Sequence, residues 1–181
     1  MPTYSYTLYS YRDMKANPSG YGLRLLRKLV EQAPEHFNDV GQYVFFSHLT
    51  GVELPTLNDD LSGLLVRKED GHVVTVATMR NEKLDRLYTL PQHRGKGHAT
   101  KLLAYLFLLS SMGGWTFISP VKTDLLPMFV RAGWTRRPDS APNRDKTRDM
   151  VTNPQFARSG MMDIGRWFAL IKDQHEEIVP F

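Results

Sequence analysis

The chain has 181 residues, 41% apolar and 23% charged, proportions ordinary for a soluble globular protein with one core. It has no cysteine, which excludes a disulfide framework and a thiolate metal site and makes a reducing interior the easier home. A formal charge of +4, from 23 Lys and Arg against 19 Asp and Glu, suits a phosphorylated ligand and does not by itself exclude nucleic acid.

The opening Met-Pro-Thr-Tyr-Ser-Tyr has neither the basic region nor the apolar stretch of a secretory signal. The apolar run from Leu102 to Leu109 falls well below the ~20 residues that span a bilayer. The expectation is a cytoplasmic protein with no membrane partner. Residues 3–11, TYSYTLYSY, alternate aromatic or apolar with small polar residues and predict a first strand. After the turn Asn17-Pro18-Ser19-Gly20, Leu23, Leu26, Leu29 and Val30 recur at helical spacing, with Arg24, Arg27 and Lys28 facing outward. A second helix is predicted from about Phe37 to Leu49, with Phe37, Val40 and Val44 on one face.

Residues 62–80 give the clearest local signal, because two β-rich runs flank Asp70-Gly71, a dipeptide suited to the positive φ angles of a tight hairpin. A further strand, 84–90, ends at Pro91, and a helix from about His98 to Met112 carries Leu102, Leu103, Leu106 and Phe107 on one stripe. Then come a strand at 115–120, a helix over 123–132 and a long loop at 138–160 rich in Pro, Asn, Asp and Arg. The run RWFALIK, 166–172, reads as the strand that closes the sheet. No repeat or low-complexity tract divides the chain, so residues 1–181 are expected to form one domain.

Between the strand that ends near Pro91 and the helix that begins near His98 lies QHRGKG. The first N–H groups of a helix have no internal partner and sit at the positive end of its dipole. Gly95 and Gly97 remove β-carbons there, so phosphate oxygens can approach the amides, while Arg94, Lys96 and Lys101 add charge and Thr100 a hydroxyl. The Walker spacing fails because Gly97 follows Lys96, and the dinucleotide fingerprint fails because Thr100 stands where its third glycine belongs. Gln92, Gly95 and Gly97 do satisfy Q/R-x-x-G-x-G/A.

The whole run, LYTLPQHRGKGHATKLL at residues 87–103, resembles the coenzyme A signature of the GNAT superfamily of N-acetyltransferases. Leu87, Pro91, Arg94, Gly95, Gly97, Ala99, Leu102 and Leu103 fall on that pattern, and Thr89 replaces its usual valine. A second likeness is MFVRAGW, 128–134, beside the superfamily's LYEKLGF. The resemblance implies a GNAT fold of the α/β (α+β mixed) class: a central, mixed, mostly antiparallel sheet of about six to seven strands flanked by helices. It implies acetyl-CoA as co-substrate, held by Leu87, Tyr88, Thr89, Gln92, Arg94, Gly95, Lys96, Gly97, His98, Ala99 and Thr100 with Phe129, and an amine acceptor, small molecule or protein. A backbone N–H at Tyr88 or Thr89 would polarise the thioester carbonyl.

Two positions depart from the superfamily. Phe129 stands where it places a tyrosine as general acid, and Lys122 where many members carry an asparagine. A phenyl ring donates no proton. Asp85 is the first candidate for the base, because period two would put it on one face with Leu87 and Thr89; Glu82, at the start of the same strand, is the second. Glu31, Glu35, Asp39, Glu53, Asp59 and Asp60 are the acids near the acceptor groove that the resemblance implies. The six histidines show no i, i+4 pair, so no metal site is expected. Phe129 and the basic loop also favour a different reading, a catalytically weak GNAT-fold protein that binds and modulates another protein. A nucleic-acid module ranks third, since no recognition helix or aromatic sheet motif accompanies the basic residues.

Overall fold

A computed structural model describes residues 1–50, 62–80, 83–112, 118–132, 134–136 and 148–152. Strand β1, Tyr4–Ser10, leads into a short helix α1, Tyr11–Ala16, that the strand prediction over 3–11 did not separate. Ser10 caps it, its Oγ accepting from the Asp13 N–H at 3.1 Å, so Ser10-x-x-Asp13 was the local signal for a helix start. Helix α2, Tyr21–Gln32, buries Leu23, Leu25, Leu26 and Leu29 and exposes Arg24, Arg27 and Lys28, as the spacing predicts. Helix α3 runs Pro34–Thr50.

Strands β2, Gly63–Glu69, and β3, His72–Arg80, form the expected hairpin, with Asp70 at φ 49° and Gly71 at φ 80°. Two successive positive φ angles are those of a type I′ turn, whose twist matches that of the strands. Strand β4, Lys83–Thr89, completes an antiparallel sheet in the order β1-β2-β3-β4. Helix α4, His98–Met112, follows a 3-10 turn at Pro91–His93. Strand β5, Ile118–Lys122, a 3-10 turn at Thr123–Leu125, helix α5, Leu126–Arg131, and strands β6, Thr135–Arg136, and β7, Arg148–Thr152, come after it.

Strands β5, β7 and β6 form a second antiparallel sheet in that order. The sequence reading of 138–160 as loop is therefore corrected at 148–152, where β7 pairs with both β5 and β6. The run RWFALIK, expected to close the sheet, lies outside the described residues.

The four-stranded sheet is covered on both faces. Leu64, Val66 and Val76 pack with Phe37, Leu26, Leu29 and the rest of α1–α3, while Leu65, Ala77 and Met79 pack with Leu102, Leu103 and Leu106 of α4 and with Phe129 and Trp134. Burial on both sides explains why Gly63-Leu64-Leu65-Val66 reads as a continuous apolar run rather than an alternation. No described helix is long and apolar enough to cross a membrane.

Candidate functional site

Strand β4 is an edge of its sheet. It lies beside β5, yet no pairing joins the two strands among the described residues. The Leu90 N–H donates to Val74 O at 3.0 Å, and Val76 stands opposite Tyr88. In an antiparallel ladder the hydrogen-bonding residues alternate, so Tyr88 and Leu90 turn their N–H groups to β3, whereas Leu87 and Thr89 turn theirs away, toward β5. The side chains follow the same division. Tyr88 is buried against Phe37 of α3, with ring centroids 5.3 Å apart and nearly perpendicular. Thr89 Oγ1 lies 3.0 Å from Thr75 Oγ1. Of the two amides expected to polarise a carbonyl, that of Tyr88 faces β3 and that of Thr89 faces away from it.

The glycine turn opens directly beyond this edge. Gly95 and Gly97 hold φ of 76° and 79°, a region that costs an L-residue about 1–2 kcal/mol. A β-carbon on either would meet no protein atom within 4 Å, so the space the two glycines leave is open rather than packed. The Gly97 carbonyl accepts from the Lys101 N–H at 3.1 Å, which starts α4 and leaves the N–H groups of His98, Ala99 and Thr100 without intrahelical partners. Arg94 bends back, donating from Nε to Thr89 O at 3.1 Å with its guanidinium carbon 5.6 Å from the Tyr88 ring centre. Gln92 and Lys96 are exposed, and Leu87 is half-buried against the α4 side of the core.

Two of the predicted side chains are buried. Phe129 is buried, its ring centroid 6.0 Å from that of Trp134 in a T-shaped contact, so it serves the core. The His98 imidazole is also buried and turns toward Glu69, so only its backbone N–H faces the turn. Burial, followed by the nearby Arg67 charge, holds its pKa below the usual histidine value.

Asp85 departs from the period-two reading. Residues pair as Thr78 with Arg86 and Met79 with Leu84, so Asp85 is the extra residue of a β-bulge. Leu84 and Leu87 consequently face the same core layer, and the Asp85 carboxylate shares a small pocket with Tyr11, Asp39, Val40, Arg80 and Arg86. It accepts from Arg80 Nε at 2.5 Å and Nη2 at 3.2 Å, a two-pronged ion pair, and Arg86 Nη2 reaches Asp39 at 3.4 Å. The shared face with Leu87 and Thr89 does not exist. Of the acids proposed for the acceptor groove, Asp39 lines this pocket, where two guanidiniums balance two carboxylates. Glu53, Asp59 and Asp60, and the second base candidate Glu82, lie outside the described residues.

No protein-family model matches the chain, and no curated protein sequence matches it. Solved structures do. The N-acetyltransferase PseH of Campylobacter jejuni superposes at TM-score 0.52 and 12% identity, over 83% of this chain and 99% of its own. ElaA of Escherichia coli superposes at 0.52 and 10% identity, over 85% and 100%. An aminoglycoside acetyltransferase in complex with coenzyme A and kanamycin is similar at 0.49 and 15% identity, over 83% and 94%. The chain has the GNAT fold.

Proposed function

We propose that the protein transfers an acetyl group from acetyl-CoA to an amine. The observation that supports this best is one juxtaposition: edge amides of Leu87 and Thr89 turned toward β5, followed within ten residues by a positive-φ glycine turn at the start of α4. In this reading the amides of residues 95–100, with Arg94 and Lys96, hold the pyrophosphate. The Leu87 or Thr89 N–H then stabilises the oxyanion of the tetrahedral intermediate, a task that needs no particular side chain.

The amine must lose a proton, the C–N bond forms, and the C–S bond breaks with the electron pair leaving on sulfur. A lysine-like amine of pKa ~10.4 costs roughly 4–5 kcal/mol to deprotonate at pH 7, whereas a thiol near 8.5 costs about 2 kcal/mol to leave as thiolate. Help for the base therefore matters more than help for the acid, and Phe129 does not preclude the reaction. Arg80 engages both carboxylate oxygens of Asp85, so in this reading Asp85 holds the β4 bulge and the pocket wall.

The test is calorimetric titration of the protein with CoA, joined to mass spectrometry of host-cell proteins after expression. The reading expects binding and new acetyl sites that vanish in a Gly95/Gly97 double variant. Binding without any acetylation, in cells or on offered amines, favours the other reading, a GNAT-fold module that modulates a protein partner; buried Phe129, with no donor at the expected acid position, is the observation behind it.

Two substitutions refine the roles. Asp85→Asn is expected to leave CoA affinity unchanged and to lower turnover by less than about tenfold, since a positioning role yields less than the ~10²–10⁴ of general acid–base catalysis. Steady-state kinetics across pH decides it: a loss in that larger range, with the acidic limb of the profile removed, would restore Asp85 as the base. Phe129→Tyr is expected to raise turnover by less than tenfold and to lower stability by about 1–3 kcal/mol if its hydroxyl finds no partner in the core. Turnover and thermal melting measured together check both parts; a gain of ~10²–10⁴ would mean that thiolate release limits the native chain.

A further inference from the structure

The two histidines that flank the glycine turn meet a third residue from β2. His93 closes the 3-10 turn and His98 opens α4, with Arg94–Gly97 between them. Glu69 ends β2 on the face that α4 covers, opposite Tyr4 of β1. His93 Nδ1 and His98 Nε2 each lie 3.8 Å from Glu69 Oε2, and the three atoms lie within 4.8 Å of one another. His98 is 4% exposed, and neither of these ring nitrogens has a hydrogen-bond partner. A buried polar atom left so costs about 1–3 kcal/mol, and 3.8 Å is too long for a hydrogen bond to repay it. Two orphaned nitrogens converging on one carboxylate oxygen form a donor set.

We propose that Glu69, His93 and His98 bind a divalent transition-metal ion, zinc by its ligand preference, through Oε2, Nδ1 and Nε2, with water completing the shell. Tetrahedral zinc with bonds of about 2.0–2.2 Å sets its ligand atoms roughly 3.3–3.6 Å apart, so the two 3.8 Å edges need small side-chain movements and the third, within 4.8 Å, a larger one. Two imidazoles exclude magnesium and calcium, which take oxygen ligands. Tyr4 supports the carboxylate from outside, its hydroxyl donating to Glu69 Oε1 at 2.9 Å. The nearby charges of Arg67 and Lys96 weaken affinity for any cation.

The ion would pin both ends of the Arg94–Gly97 loop to β2 and fix the amides of the turn. A search for two histidines on one helix misses this site, because the pair is five residues apart and the third ligand comes from another strand.

The experiment uses tag-free full-length protein, stripped with chelator and titrated with zinc or magnesium chloride by calorimetry, with thermal melts alongside and cobalt(II) as an optical probe. The expectation is one equivalent of zinc, a raised melting temperature with zinc and not with magnesium, and a visible cobalt spectrum. Glu69→Gln and the half-buried, better tolerated His93→Gln should each weaken zinc by more than about tenfold while the metal-free protein stays folded by circular dichroism. Absence of stoichiometric zinc binding in the wild type overturns the proposal, as does undiminished binding in both variants. These readouts are independent of acetyl transfer.

Discussion

If the glycine turn holds CoA, a folded G97V protein is expected to bind it at least about a hundredfold more weakly than the wild type, by calorimetry. Two effects of the substitution act together. A β-branched residue at φ 79° is strained, so the backbone that carries Gly97 relaxes and the first turn of α4 moves with it. The isopropyl group also enters open space at the start of α4, where no described atom beyond the chain neighbours lies within 4 Å of the new β-carbon. Because that space is empty of protein, the core should be little affected, and melting should separate lost binding from lost folding. Gly97→Ala, with the same φ penalty and less bulk, is expected to fall between. Unchanged affinity in folded G97V would remove the turn from the site and take the acetyl-CoA assignment of residues 94–100 with it.

Trp134→Ala is expected to be the most damaging change to stability. Trp134 is 1% exposed, its Nε1 donates to Leu103 O of α4 at 3.2 Å, and its ring meets Phe129 edge to face. It thereby joins α4 and α5 to the segment that enters β6. Removing a buried tryptophan ring costs about 3–5 kcal/mol through lost burial and the cavity left behind. At roughly 2–4 °C per kcal/mol for a chain of this size, the melting temperature should drop by about 10 °C. Trp134→Phe keeps most of the ring and loses the hydrogen bond, so about 1–2 kcal/mol is expected. Equal, small losses for both variants would show that the α4–α5 contact contributes little.

The elements legible in the sequence are those whose geometry is demanded locally. Asp70-Gly71 reads as a hairpin because the turn needs positive φ at both positions, and both residues adopt it. Gly95 and Gly97 read as a turn before a helix for the same reason, and the leucine spacing of α2 needs only a single apolar layer to face. The run at 87–103 supports the proposed phosphate cradle for the same reason, because such a cradle would depend on backbone and glycine rather than on distant partners.

Tertiary structure alone decided the rest. Period two assigns Asp85 to the face of Leu87 only while the strand is regular. The extra residue at the β3–β4 bulge moves its carboxylate to Arg80 and Asp39, and nothing in the local run LDRLYT announces that bulge. Pairing of β5 with β7 is likewise a long-range choice, since the two strands are 25 residues apart or more and nothing local joins them. The Glu69, His93 and His98 donor set exists because β2 ends beneath the glycine turn, 24 residues before its first histidine. Sequence determined the conformations that backbone sterics and helix periodicity dictate residue by residue. Which side chains meet across strands was decided by register and bulges, because those follow from the packing of the whole sheet between its two helical layers.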